Sequence, residues 1–158
     1  MARWTGTWLQ GPGATLGEVR RPGTWPGQRL GLPQTGPGSV APFGTRAGAF
    51  VVDVLASALA ASVLNALVHP GDVQRQLTSY AVLALEHVVL VALTGQTLGM
   101  RALRLRVVPV SGPGVLPGAL AAVLRTSLLL VSVGLAALFG EDGRGLHDVA
   151  AGTVVVRR

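Results

Sequence analysis

The sequence predicts an all-α integral membrane protein, a helical bundle of about three hydrophobic helices with a short β-like patch on its cytoplasmic side. Of the 158 residues, 49% are hydrophobic and only 13% are charged, which is too apolar for an ordinary soluble domain. Aromatic residues make up 4%, so leucine, valine and alanine supply most of the apolar side chains. These residues suit helices packed in lipid better than a barrel of alternating strands.

Residues 1–44 are predicted to be a disordered tail, and residues 45–158 to form the membrane domain. Glycine and proline are concentrated in the tail, in "GPGATLG", "RPGTWPGQ" and "LPQTGPGSVAPFG", which cannot sustain a helix or bury a core. The N-terminus lacks the basic start and apolar core of a signal peptide. Insertion into the membrane is therefore expected to rely on internal apolar runs.

Three apolar segments follow the tail, at residues 46–68, 77–94 and 115–139. The first is long enough at 23 residues to cross a bilayer as a helix, and His69-Pro70-Gly71 ends it. The second follows a short polar loop, "GDVQRQ", and is interrupted by Glu86 and His87. The third carries Arg125 near its middle.

The third segment leaves two topologies open. The polar stretch 95–114 before it is rich in arginine and contains a β-like patch, "LRLRVVPV", and its charges place it in the cytoplasm with the N-terminal tail. If the third segment spans completely, the C-terminal arginines lie outside, against this tendency. If it bends back, both flanks are cytoplasmic and "TVVVRR" can pair with the patch. Length favours three spans.

Composition argues against several classes of function. With no cysteine, and with His69, His87 and His147 far apart in sequence, no metal site and no cofactor are predicted. The net charge of +6 comes from arginines scattered among tails and loops without an aromatic platform, so the expected partner is the lipid bilayer and not nucleic acid. No motif marks a nucleophile beside His147 and Asp148, so no enzymatic activity is expected.

Several separated blocks resemble one protein family. They are Arg46 and Asp53 in "RAGAFVVD", "TGQTLGMRALRLRVV" at 94–108, Arg125 in "AVLRTSLLL", and "GRGLHDVAAGTVVV" at 143–156 with His147 and Asp148. In this order they resemble the RDD family of small bacterial membrane proteins, named for an arginine and two aspartates, and the tail resembles a high-GC branch. The resemblance implies a multi-pass protein of the bacterial inner membrane, sometimes proposed to act in transport, and brings no established substrate.

Asp53 lies inside the first apolar segment, where an ionised carboxylate is costly. At steps of four along a helix it shares a face with residues that are all small or polar, namely Ala49, Ser57, Ala61 and Asn65. We expect this stripe to face protein, because small residues let helices approach closely. Arg46, two helical turns earlier, is expected to reach the lipid headgroups, which leaves Asp53 in need of another partner.

The expected partners of Asp53 are Glu86, His87 and Arg125. Two acids against one arginine leave a negative charge, which a protonated His87, a protonated acid or a bound cation must balance. In one interpretation Arg125 bridges an acid and the cluster only fixes helix register. In the other, Asp53 and Glu86 carry protons or cations, Arg125 is a fixed counter-charge and His87 is a relay.

Two local contacts and two functions follow from the sequence. Asp148 is expected to cap a short helix or to pair with Arg101 or Arg104, and Thr97 to cap the helix after a turn at "GQT". One function is transport of protons, cations or small solutes, with a homo-oligomer enclosing the pathway. The alternative is a non-transporting adaptor that binds a membrane protein partner through the stripe and the tail.

Overall fold

The protein was analysed as a computed structural model that describes residues 25–112, 114–132 and 143–158. The helices are α1 (Phe43–Val68), α2 (Asp72–Thr94), α3 (Leu98–Ala102), α4 (Gly118–Val131) and α5 (Leu146–Ala150). The strands are β1 (Leu105–Pro109) and β2 (Thr153–Arg157). Most of the predicted tail, residues 1–24, and the end of the third predicted segment, residues 133–139, lie outside the described residues.

Helices α1 and α2 form an antiparallel hairpin, and both are long and apolar enough to cross a membrane. At 26 and 23 residues they extend about 39 and 35 Å, which exceeds the hydrocarbon core of a bilayer. α1 ends at His69, whose backbone adopts a left-handed conformation with φ of 53° and donates to the Asn65 carbonyl. α2 begins at Asp72, so most of the predicted polar loop is instead the first turn of this helix, where an acidic residue complements the helix dipole.

The predicted stripe of small and polar residues on α1 is confirmed from Ala49 to Ala61, whereas its last member, Asn65, is half-buried. The buried residues of this helix are Ala49, Asp53, Ser57 and Ala61. The other sides of α1 are apolar and exposed, with Leu55, Leu59 and Leu67 between 65% and 74% accessible. An apolar exterior around a polar interior is the arrangement that a lipid environment requires.

The connection after α2 folds back against α1. Gly95 ends α2 in a left-handed conformation with φ of 70°, and the Thr97 hydroxyl accepts a hydrogen bond from the Met100 amide, which confirms the predicted cap. The short helix α3 then packs so closely on α1 that a Cβ atom at Gly99 would overlap the backbone of Ala49. This contact brings the start of α3 to the level of Asp53.

Strands β1 and β2 pair as an antiparallel ribbon, with Val107 opposite Val155. The β-like patch and the C-terminal "TVVVR" therefore form the pairing that the sequence allowed. Val40 adds a bridge to Val156, and Leu30 and Leu32 pack against this side of the ribbon. Residues 25–42 thus differ from the predicted tail, because their apolar side chains cover one face of the ribbon.

The third predicted segment begins as helix α4, which has 14 residues and packs against α2. At about 21 Å, α4 is shorter than the hydrocarbon core of a bilayer. The short helix α5 lies between α4 and β2 and contacts both. Three complete spans are therefore not confirmed by the described residues.

Candidate functional site

Asp53 is the buried acid at the contact between α1 and α3, and its side chain is 1% exposed. One carboxylate oxygen, Oδ1, accepts a hydrogen bond of 2.5 Å from the Gly99 amide. The other, Oδ2, accepts a hydrogen bond of 2.6 Å from the Thr97 hydroxyl. Hydrogen bonds to a charged group contribute about 1.5–3 kcal/mol each, so these two contacts offset part of the cost of burying the carboxylate.

Glu86 of α2 approaches the same point from the opposite helix. Its Oε2 accepts a hydrogen bond of 2.9 Å from Ser57 on the α1 stripe, and its Oε1 accepts one of 3.2 Å from the Leu98 amide. Leu98 and Gly99 are the first two residues of α3, whose amides have no partners within the helix. Two carboxylates on different helices are therefore held by the start of the same short helix.

His87 completes the group, with a side chain that is 2% exposed. Its Nδ1 lies 3.0 Å from the Leu83 carbonyl, one turn earlier on α2. Because a carbonyl oxygen only accepts, the proton of this hydrogen bond must reside on Nδ1. In the neutral ring Nε2 then carries a lone pair, and it faces Asp53 Oδ2 at 3.6 Å.

Asp53, Glu86 and His87, named here the carboxylate–histidine cluster, are thus brought together as predicted. Each offers one ligand atom, and these atoms lie within 4.8 Å of one another, a separation compatible with a shared metal ion. The ring of Phe50 packs edge-on against His87, with centroids 6.0 Å apart, and closes one side. No metal-ligand spacing is visible in the sequence, because the three residues come from two helices.

Arg125 is the predicted member of the site that pairs outside this cluster, although its charge still acts on Asp53 and His87. Its Nε donates to Asp148 Oδ1 at 2.7 Å, and Thr153 donates to the same oxygen at 3.2 Å. The other oxygen, Oδ2, lies 3.6 Å from Arg46 Nη1 and 3.4 Å from His147 Nε2. Arg46, Arg125, His147 and Asp148 therefore form a second group, named here the Asp148 cluster.

Two predicted contacts are corrected by the Asp148 cluster. Arg46 does not reach toward headgroups, because its side chain is only 13% exposed and points to Asp148. Asp148 neither caps α5, whose N-cap is Gly145 without a side-chain hydrogen bond, nor contacts Arg101 or Arg104, both of which are exposed. Asp148, the second aspartate of the family motif, is instead paired with both Arg46 and Arg125.

The charges around Asp148 keep it ionised. Burial by itself would raise the pKa of this carboxyl, but the positive charges of Arg125, His147 and Arg46 hold the pKa below its usual value. Within the described residues, no arginine lies within ion-pair distance of Asp53 or Glu86. The carboxylate–histidine cluster therefore has two acids, and the arginine predicted to balance them is already paired with Asp148.

The sequence analysis did not identify the residues that hold the carboxylate–histidine cluster. Thr97 was predicted only as a helix cap, and Ser57 only as part of a stripe. Gly99 and Leu98 act through their backbone amides, which no side-chain pattern marks. The available signal was that Thr97, Leu98 and Gly99 all fall inside a block that resembles the family.

Comparison with known protein families identifies the family to which the chain belongs. Residues 40–152 match the family model described as the RDD family, and this range includes both clusters. The chain matches no curated protein and no solved structure.

Proposed function

The chain belongs to the RDD family of membrane proteins, and from this membership and the carboxylate–histidine cluster we propose that it transports a cation across the membrane. The observation that carries the proposal is the contact between His87 Nε2 and Asp53 Oδ2, two acceptors 3.6 Å apart in a buried site. Two acceptors repel each other unless a positive charge lies between them or one of them is protonated. A proton or a metal ion supplies that charge.

Charge balance supports the same function. Asp53 and Glu86 lie inside the two helices that are long and apolar enough to span, and intramembrane acids without a basic partner mark ion pathways in membrane proteins. Among the described residues, the hydrogen bonds to these acids come from hydroxyl and amide donors, namely Thr97, Ser57 and the α3 backbone. Such donors stabilise a carboxylate without cancelling its charge, so the site keeps its attraction for a cation.

The proposed topology has two crossings, with the chain in the bacterial inner membrane. An antiparallel ribbon requires β1 and β2 to lie on the same side of the membrane, so the chain between them returns to the side it left. That arrangement corresponds to the bent form of the third segment, with both termini in the cytoplasm, where arginine-rich stretches are favoured. A hairpin of two helices encloses little volume, so the pathway is completed by other copies of the chain.

The adaptor hypothesis loses one of its two proposed surfaces. The stripe from Ala49 to Ala61 is buried against the rest of the chain and offers no free contact area to a partner. A role in binding a membrane protein would have to use the lipid-facing leucines or the N-terminal tail.

Flux measurements with purified protein in liposomes test the proposed transport. An internal pH dye and a membrane-potential dye follow the response to Na⁺, K⁺ or a divalent metal ion added outside. We expect flux above that of empty liposomes, and its loss in Asp53→Asn, which preserves the size of the side chain and an acceptor for the Gly99 amide. Asp72→Asn is the matched control, because Asp72 is an exposed acid at the start of α2.

Correct assembly of each variant is checked by gel filtration and thermal unfolding in detergent. If assembled wild-type protein gives no flux with any of these cations, or if Asp53→Asn conducts as well as the wild type, the transport proposal is wrong.

A further inference from the structure

We propose that the carboxylate–histidine cluster binds a divalent transition-metal ion, of the class of Zn²⁺ and Mn²⁺, and that this ion is the transported cargo. The inference rests on the proposed cation transport, and it names the class of cation. It starts from the ligand set, which combines two carboxylates with one imidazole on two buried helices.

The donor atoms select the class of metal. Na⁺, K⁺, Mg²⁺ and Ca²⁺ are hard ions that prefer oxygen, whereas imidazole nitrogen suits zinc and neighbouring transition metals. The His87 side chain is only 2% exposed and lies inside the site. An apolar side chain at this position of a spanning helix would avoid the cost of burying a polar ring. The presence of His87 therefore favours a metal that binds nitrogen.

The hydrogen bond of His87 orients the ring for metal binding. Histidines that bind metals usually donate their second ring N–H to a carboxylate or a backbone carbonyl, which fixes the tautomer and the plane of the ring. His87 makes this bond to the Leu83 carbonyl at 3.0 Å through Nδ1. Nε2 is thereby left unprotonated and directed at Asp53, which is the state that a metal ligand requires.

The size of the group fits one ion after a small adjustment. Two ligands of the same zinc ion, each about 2.0 Å from it, are at most about 4 Å apart. One ligand atom from each of the three residues lies within 4.8 Å of the others. Glu86 Oε2 is 3.9 Å from Nδ1 of His87, so the Glu86 side chain must rotate toward Nε2 to share one ion with Asp53. The hydrogen bond from Ser57 to Glu86 Oε2 leaves that oxygen a further lone pair.

The charge of the site favours a bound cation, and the ligand atoms select its class. With His87 neutral, the two carboxylates carry two negative charges, and no described arginine pairs with either of them. The Asp148 cluster holds two arginines against one acid, and the charge of Arg125 also acts on Asp53, so the two clusters together keep one net negative charge that attracts a cation.

Metal binding is tested by titrating the full chain, purified in detergent, with Co²⁺ and Zn²⁺. Co²⁺ reports its ligands through visible absorption, and Zn²⁺ competition with calorimetry gives the stoichiometry and affinity. We expect one ion per chain, and at least about tenfold weaker binding in His87→Gln. The control is His69→Gln, since His69 is an exposed histidine at the end of α1 and should bind as the wild type does.

Glu86→Gln is the second variant, in case His87→Gln fails to fold, because Glu86 is less buried and lies at the rim of the site. We expect Zn²⁺ to raise the melting temperature of the wild type and to raise that of Glu86→Gln much less. The inference is overturned if the wild type binds neither metal, or if His87→Gln and Glu86→Gln both fold and bind as well as the wild type.

Failure of the metal site and failure of the proposed transport give different experimental results. Metal bound at this site without any flux overturns the proposed transport and leaves the metal site standing. Flux of Na⁺ or K⁺ that depends on Asp53, without metal binding, overturns the metal site and supports cation transport.

Discussion

Arg125 donates from Nε to Asp148 Oδ1 over 2.7 Å, which joins the middle of α4 to the short helix α5. The Arg125 side chain is 4% exposed and the Asp148 side chain is completely buried. The pair therefore fixes α4 relative to the ribbon, because β2 begins five residues after Asp148.

Replacing Arg125 by Gln is expected to lower the free energy of unfolding by about 3 kcal/mol. Removing one partner of a buried ion pair costs about 3–5 kcal/mol, and the loss should be near the lower end because Arg46 remains beside Asp148. Thermal unfolding in detergent, followed by circular dichroism, measures the change. Arg101→Gln, an exposed position, should be nearly neutral, and an equal loss there would contradict the assignment of Arg125 as the partner.

Acidification should weaken the fold through Asp148. Its pKa is lower in the folded chain than in the unfolded chain, so the folded state binds the proton less readily. The stability that this difference contributes is fully present above the unfolded pKa of about 3.9, and is lost as pH falls through the folded pKa.

The melting temperature of the wild type should therefore fall more steeply than that of Asp148→Asn as pH is lowered from about 5 to about 3. Other carboxyls titrate in both proteins, so the difference between the slopes isolates Asp148. Parallel curves would show that this carboxylate does not hold the Asp148 cluster together.

Gly99→Ala should prevent α3 from packing on α1. The added Cβ would overlap the carbonyl oxygen of Ala49, which is backbone and cannot rotate away. Overpacking of this kind costs about 1–3 kcal/mol or more, and here it also displaces the amide that binds Asp53. We expect a lower melting temperature and weaker cation binding.

Gly44→Ala is the control for Gly99→Ala. Gly44 lies in the first turn of α1, and a Cβ there meets no atom within 4 Å, so alanine should be neutral or slightly stabilising. Equal effects of the two substitutions would rule out the close approach of α3 to α1.

Cysteine labelling tests the topology, because the natural chain contains no cysteine. Single substitutions at Arg101, Asp72 and Arg158 place a thiol at exposed positions. An impermeant maleimide should label Arg101→Cys and Arg158→Cys from the same side of the membrane, and Asp72→Cys from the other. If Arg158→Cys is labelled together with Asp72→Cys, a third crossing separates β1 from the C-terminus.

The sequence was sufficient where a pattern depends on one element. The step of four from Ala49 to Ala61 marks the buried side of α1 because it follows the helical repeat. Thr97 before a helix indicates a cap because hydroxyl side chains satisfy free amides at helix starts. The β-like patch "LRLRVVPV" indicated a strand, and the valine-rich "TVVVRR" at the C-terminus offered it a partner.

The sequence was insufficient where partners are chosen by three-dimensional placement. Arg125 could meet any acid at a similar depth, and the rotation of α4 decides between Asp53, Glu86 and Asp148. The amides of Leu98 and Gly99 bind carboxylates only because α3 folds back on α1, which depends on the direction of the turn at Gly95. The absence of a side chain at Gly99 was the local feature of the sequence that reflects this packing.

The contact of Asp53 with α3 also has a consequence for biosynthesis. Thr97 and Gly99 follow Asp53 by 44 and 46 residues, so the ribosome completes all of α1 and α2 before either partner exists. An acid that enters lipid alone is costly, and the translocon would therefore have to retain α1, or release it only together with α2, until α3 emerges. Membrane insertion of this chain is therefore completed only once Gly99 has been synthesised, five residues after the hairpin ends at Thr94.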